Sequence, residues 1–116
     1  MVSILRSFDK KLIGNKGGKT HIIDFKDALY FDSVDKTSFI YTMDNVYETA
    51  LKLYEIEERL SGMGFFRSSK SQIVNIAKIS SLCPDFGGRI EVTLQNGEKL
   101  IVSRKYAKEL KERLNL

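Results

Sequence analysis

Two groups of residues in this chain set long cationic donors among small hydroxyls. Arg67, Ser69, Lys70 and Ser71 make up the first; Ser103, Arg104, Lys105 and Lys108 make up the second. Arg and Lys donate to guanine O6 and N7 in a major groove, while Ser hydroxyls, Lys and backbone N–H groups contact phosphates and set register. Each group adjoins an apolar run, Ile73-Val74 in one case and Leu100-Ile101-Val102 in the other. A rigid scaffold could therefore present the charge to a phosphate-rich partner. On residue types alone, two ordinary basic surface segments fit about equally well.

Catalytic chemistry has weaker support. His21 lies in a β-patterned run, where a half-buried or surface imidazole is the simpler reading than a triad member. Glu55, Glu57 and Glu58 read as the wet side of a helix, and turn chemistry accounts for Asp32 and Asp35 at a strand end. Cys83 precedes Pro84 with no identifiable base, so it reads as a small packed residue. One cysteine and one histidine make neither an internal disulfide nor a zinc site of the usual spacing. The cluster Gly14-Asn15-Lys16-Gly17-Gly18 lacks the Lys-Ser/Thr ending of a phosphate loop and reads as a flexible turn. The expectation is a protein that is not an enzyme and carries no cofactor or metal.

The elements that must position the two basic groups fit into one domain, since 116 residues with 42% hydrophobic content can bury a proper core. The net charge is +4, and its distribution is uneven. Residues 1–65 carry nine Lys/Arg against ten Asp/Glu, whereas residues 66–116 carry ten against five. The longest apolar runs fall far short of the roughly 20 residues that span a bilayer, and no signal-peptide core follows Met1. With its single cysteine, the chain is expected to be soluble and to reside in a reducing cytoplasm.

Residues 1–11 read as an N-terminal extension or linker, and residues 12–116 as the domain. Short strands are expected at Leu12-Ile13, Thr20 to Phe25, Ala28 to Ser33, Thr37 to Met43 and Val46 to Thr49, all rich in β-branched and aromatic residues. Asp44-Asn45 is a plausible hairpin turn between the last two. Leu53, Ile56 and Leu60 recur at helical spacing, and Ser61-Gly62 would stop that helix. Arg89 to Ser103 is the clearest local pattern. Ile90, Val92 and Leu94 alternate with polar residues, and Asn96-Gly97 fits a two-residue type I′ turn. That loop would set Val92 opposite Ile101 and Thr93 opposite Leu100, covering both faces of the ribbon in part. Ser103 can cap a terminal helix with Tyr106, Leu110 and Leu114 on its apolar stripe. Arg104 and Lys105 would then stand where a strand hands over to a helix, beside N–H groups that favour phosphate.

With Phe66, Arg67, Ser69-Lys70-Ser71, Ile73-Val74-Asn75 and Ile79, followed by Asn96-Gly97-Glu98 and Val102-Ser103-Arg104-x-Tyr106, the chain resembles the LytTR family of bacterial DNA-binding domains. That family's pattern runs F-x-R-x-H-R-S-y-x-V-N, then an Ile, then a hairpin ending in an S-R-like pair. The resemblance spans roughly residues 12 to 115. It implies a mostly β fold of about ten short strands in three small sheets, with one or two short helices including the C-terminal one. It also implies cytoplasmic, sequence-specific binding of double-stranded promoter DNA for transcription regulation, with loops rather than a recognition helix entering successive major grooves.

By position, the resemblance makes the loop Asp35-Lys36-Thr37-Ser38, the pair Ser69-Lys70 and Arg104 the base-reading elements. Arg67, Ser71, Lys105 and Lys108 would hold the DNA backbone. Asn75 reads as structural, satisfying loop backbone at a strand end. Ser69-Lys70 and Gln72 depart from the family's H-R and Tyr, and Lys lacks the bidentate fork of Arg, so the family's site preference does not carry over. The implied assembly is two copies, as a homodimer on DNA, on direct or paired repeats.

Many family members are response regulators of two-component systems that carry a phosphate-receiver domain. Such a domain needs about 100 residues of α/β alternation that this chain does not contain. The resemblance leans toward small regulators restrained by a membrane protein, with a missing N-terminal receiver domain as the other option. A reading from another class is a protein-protein interaction module without DNA specificity, whose affinity would be insensitive to salt and to DNA sequence.

Overall fold

A computed structural model of the chain describes residues 11–116. The N-terminal extension expected over residues 1–11 lies outside the described residues except for Lys11, which opens the first strand. That strand, β1 (Lys11–Lys16), turns through Gly17-Gly18 into β2 (Lys19–Asp24). Both glycines have positive φ, which a tight hairpin turn requires. The flexible turn expected over residues 14–18 is therefore confined to Gly17-Gly18. Gly14 lies inside β1 because Tyr47 packs over it: a Cβ there would meet the Tyr47 Cβ at 2.6 Å.

Strands β3 (Tyr30–Val34), β4 (Thr37–Tyr41) and β5 (Val46–Thr49) follow. Helix α1 (Leu53–Arg59) then leads to β6 (Phe65–Ser69) and β7 (Gln72–Asn75). Next come β8 (Ile79–Pro84), β9 (Ile90–Leu94), β10 (Lys99–Val102) and the terminal helix α2 (Arg104–Arg113). The ten strands build two antiparallel sheets rather than three. One has seven strands in the order β2-β1-β5-β4-β3-β7-β6, and the other has three in the order β10-β9-β8. The count falls because the end hairpins join the centre: Asn15 pairs with Glu48, and Tyr30 with Val74.

Strand alternation sends apolar side chains to both faces of the large sheet, so each face needs a cover. Leu12, Ile23, Phe31, Ile40 and Ile73 pack under Leu53 and Ile56 of α1 and under Leu60, its C-cap. The amphipathic stripe read from the sequence thus has this one use. Tyr30, Phe66 and Val74 on the other face meet Ile90, Val92, Leu94, Leu100 and Val102 of the small sheet and Ala107 and Leu110 of α2. Tyr30 also crosses between the sheets, donating its hydroxyl to Glu98 at 2.5 Å. Burial and that carboxylate push its phenol well above the usual range.

The β9–β10 ribbon has a different register from the one expected. Val92 pairs with Leu100 and Glu91 with Ile101. The loop holds three residues, Gln95-Asn96-Gly97, closed by Gly97 N–H to the Leu94 carbonyl at 2.8 Å and Leu94 N–H to the Glu98 carbonyl at 2.8 Å. Gly97 takes φ 88°, as the bulge position of a three-residue hairpin demands. A one-residue slip moves every side chain to the opposite face. Ile90, Val92, Leu94, Leu100 and Val102 therefore share the buried face, and Ile101 is exposed on the other. Cys83, expected to be packed, is exposed on the edge strand β8.

Candidate nucleic-acid interface

Three connections meet at one end of the large sheet. Val34 pairs with Thr37, so the β3–β4 turn consists of Asp35 and Lys36 alone. Both have positive φ, 51° and 68°, which is the conformation of a type I′ turn carried by residues that pay for it. Ser33 donates its backbone N–H to the Ser71 carbonyl at 2.9 Å, seating the β6–β7 turn against β3. Ser38 pairs with Thr49, which brings the β5–α1 connection to the same end. On the far side of β6, Ser103 N–H donates to the Ser68 carbonyl at 2.9 Å. The two basic groups of the sequence, separated by more than thirty residues, are thereby tied by one backbone hydrogen bond.

The β6–β7 turn is strongly braced. Register shifts between Arg67 and Ser69, so Ser68 turns inward and is fully buried. Its Oγ has no hydrogen-bond partner. The Arg67 guanidinium donates from Nε to the Ser69 carbonyl at 2.9 Å and from Nη2 to the Lys70 carbonyl at 2.6 Å. Its Nη1 pairs with Glu57 of α1 at 3.0 Å. The Ser69 Oγ accepts from the Ser71 N–H at 3.2 Å. Lys70 is left at the tip, exposed.

The remaining expected site residues divide by exposure. Lys36 is exposed at its turn, and Thr37 is half-buried beside it. Ser38 is only 3% exposed and points into the protein. Arg104 is the first residue of α2, and Lys105 and Lys108 are exposed on the same helix. The Lys105 ammonium lies 5.4 Å from the centre of the Tyr106 ring. Ser103 stands at the helix start as expected, although its side chain makes no capping bond. The aliphatic part of Arg104 packs against Gly88, where an added Cβ would come within 3.2 Å of it.

Asn75 holds backbone, as its place at a strand end implies. Its Nδ2 donates to the Ala28 carbonyl at 2.9 Å, and its Oδ1 accepts from the Ala77 N–H at 3.1 Å. His21 rests at 5.0 Å from the Tyr47 ring. Among the described residues no group of three or more His, Cys, Asp or Glu side chains is placed to hold a metal ion.

Sequence reasoning missed Lys52. It enters through the chain's return from β5, and it lines an open groove of about 640 Å³ together with Lys36, Tyr54, Arg67, Lys70 and Ser71. The signal was a lone lysine before a helix, which carries no functional information by type.

An all-antiparallel fold thus gathers three connections and a helix start around one basic end. The model of the LytTR family, the LytTr DNA-binding domain, matches residues 18–115, and the chain belongs to that family. Two regulators of Staphylococcus aureus, each called an uncharacterized HTH-type transcriptional regulator, are 32% identical (strain NCTC 8325) and 31% identical (strain MRSA252) over 118 residues. The alignments span 100% of this chain and 80% of theirs. The LytTr DNA-binding domain of a Bacillus cereus protein, described as a methyl-accepting/DNA response regulator, superposes with a TM-score of 0.87 at 23% identity. That match covers 92% of this chain and 98% of the other. Although the Staphylococcus names carry a helix-turn-helix label, α1 and α2 here are separated by five strands and form no such pair.

Proposed function

We propose that this chain binds double-stranded promoter DNA in a sequence-specific way to regulate bacterial transcription, reading it with the turns at the basic end. The observation that carries this reading is the Ser103–Ser68 backbone hydrogen bond, which holds Arg104 beside the Ser69-Lys70 turn. Membership of a DNA-binding family and the transcriptional-regulator relatives support it. In this reading Lys36, Thr37, Ser69, Lys70 and Arg104 face base edges, while Ser71, Lys105 and Lys108 contact phosphates. Arg67 and Ser38 serve from behind: Arg67 fixes the turn that presents Lys70, and Ser38 packs under the neighbouring one. Lys70 supplies a point charge to guanine where the family commonly has an Arg fork.

Two copies on direct or paired repeats fit a domain this small, which covers few base pairs alone. Control comes from a further component, either a restraining membrane protein or a receiver domain joined before this one; the response-regulator description of the Bacillus cereus neighbour supports the latter arm. Selection of bound duplexes from a random pool, followed by titration of the winners over a salt series, tests the function. Recovery of a repeated motif bound tightly and with steep salt dependence is expected. A pool that stays random, with affinity indifferent to salt, would replace DNA reading with protein interaction.

A further inference from the structure

The groove beside the β6–β7 turn carries more charge than the two sequence clusters account for. Lys36, Lys52, Arg67 and Lys70 all line it, and none of its lining residues is acidic. Among the described residues Lys36, Lys52 and Lys70 form no ion pair. The Lys52 Nζ lies 3.3 Å from the Lys36 carbonyl, so its ammonium reaches across to the β3–β4 turn. Of the carboxylates nearby, Glu55 accepts from the Lys52 backbone N–H at 2.9 Å and Glu57 is held by Arg67, while Asp35 and Glu48 do not line the groove. Tyr54 is 66% exposed at the rim, with its hydroxyl available as a donor. Three unpaired ammonium groups around one concavity repel one another, and a polyanion would relieve that repulsion.

We infer that Lys52 and Tyr54 form a further part of the DNA interface, holding a stretch of sugar-phosphate backbone in the groove between the Lys36 turn and the Lys70 turn. The inference rests on the DNA-binding reading above and adds the strand path between two of its reading elements. An ammonium and a phenol suit phosphate, because neither offers the planar donor-acceptor pair that discriminates a base. The contact contributes affinity without sequence preference.

The test measures binding of the selected duplex and of a scrambled duplex, across a salt series, for the full chain and for Lys52→Ala, Lys52→Arg and Tyr54→Phe. Thermal unfolding of each variant is followed in parallel. Lys52→Ala is expected to weaken both duplexes by a similar factor, about three- to tenfold, and to flatten the salt slope by about 0.9. Lys52→Arg should restore both values, and Tyr54→Phe should weaken both duplexes about two- to threefold. Unchanged affinity and slope for Lys52→Ala, with the parent chain still binding specifically, would overturn the inference alone. Loss confined to the selected duplex would make Lys52 a base reader and likewise overturn it. Failure of the parent chain to bind any duplex would instead defeat the underlying reading.

Discussion

Arg67 illustrates how a residue type can mislead about its task. Its guanidinium is committed to the Ser69 and Lys70 carbonyls and to Glu57, leaving little donor capacity for a phosphate. Replacing Arg67 with Ala should loosen the turn, lowering specific affinity at least tenfold while leaving the salt slope within a few tenths of the parent value; a lost phosphate contact would flatten it by about 0.9. Ser68 makes an opposite case. Its buried, unpartnered hydroxyl costs free energy, so Ser68→Ala should stabilise the fold by about 1 kcal/mol in urea unfolding. Asp32 on β3 is held above its usual carboxyl range, chiefly by burial. A carboxyl raised in the folded state adds stability only while it stays protonated, and that contribution is lost as pH rises through its folded value. Asp32→Asn should therefore raise the urea midpoint at pH 7, with the gain shrinking toward zero near pH 3.

At the scale of elements, the β3–β4 turn spends stability on presentation. Asp35 and Lys36 both occupy the left-handed region, where glycine avoids a cost of about 1 kcal/mol per residue. Lys36→Gly is expected to stabilise the protein by about that amount in denaturant titrations and to weaken DNA binding severalfold. The β9–β10 ribbon shows what the sequence could and could not reveal. Alternation placed both strands correctly, yet Asn96-Gly97 serves equally in a two-residue and a three-residue loop. Burial of Val92 opposite Leu100 decides between them, and that needs the partner sheet. Helix α1 was legible because Leu53, Ile56 and Leu60 repeat at its period. Gly14 as strand residue was not, because the reason is Tyr47, which lies far along the chain.

Across the whole molecule, the excess charge noted in residues 66–116 turns out to be supplemented from the first half by Lys36 and Lys52. Only folding brings them to Lys70, so the basic end could be read in part from two clusters but not in full. The opposite end gathers the Gly17-Gly18, Asp44-Asn45 and Asn96-Gly97 connections, with Lys16 bonded to Asn45 and a cavity that Asn96 and Glu98 also line. Among the described residues no helix is long and apolar enough to cross a membrane. The central claim is that Arg104 and the Ser69-Lys70 turn, tied through Ser103 and Ser68, form one surface that reads DNA sequence. Its most direct test is a fixed-salt titration of Arg104→Ala against the selected duplex and a scrambled one. The account predicts a fall of about 1–3 kcal/mol, roughly tenfold or more, for the selected duplex and a much smaller change for the scrambled one. Equal affinity of parent and variant for the selected duplex would contradict it.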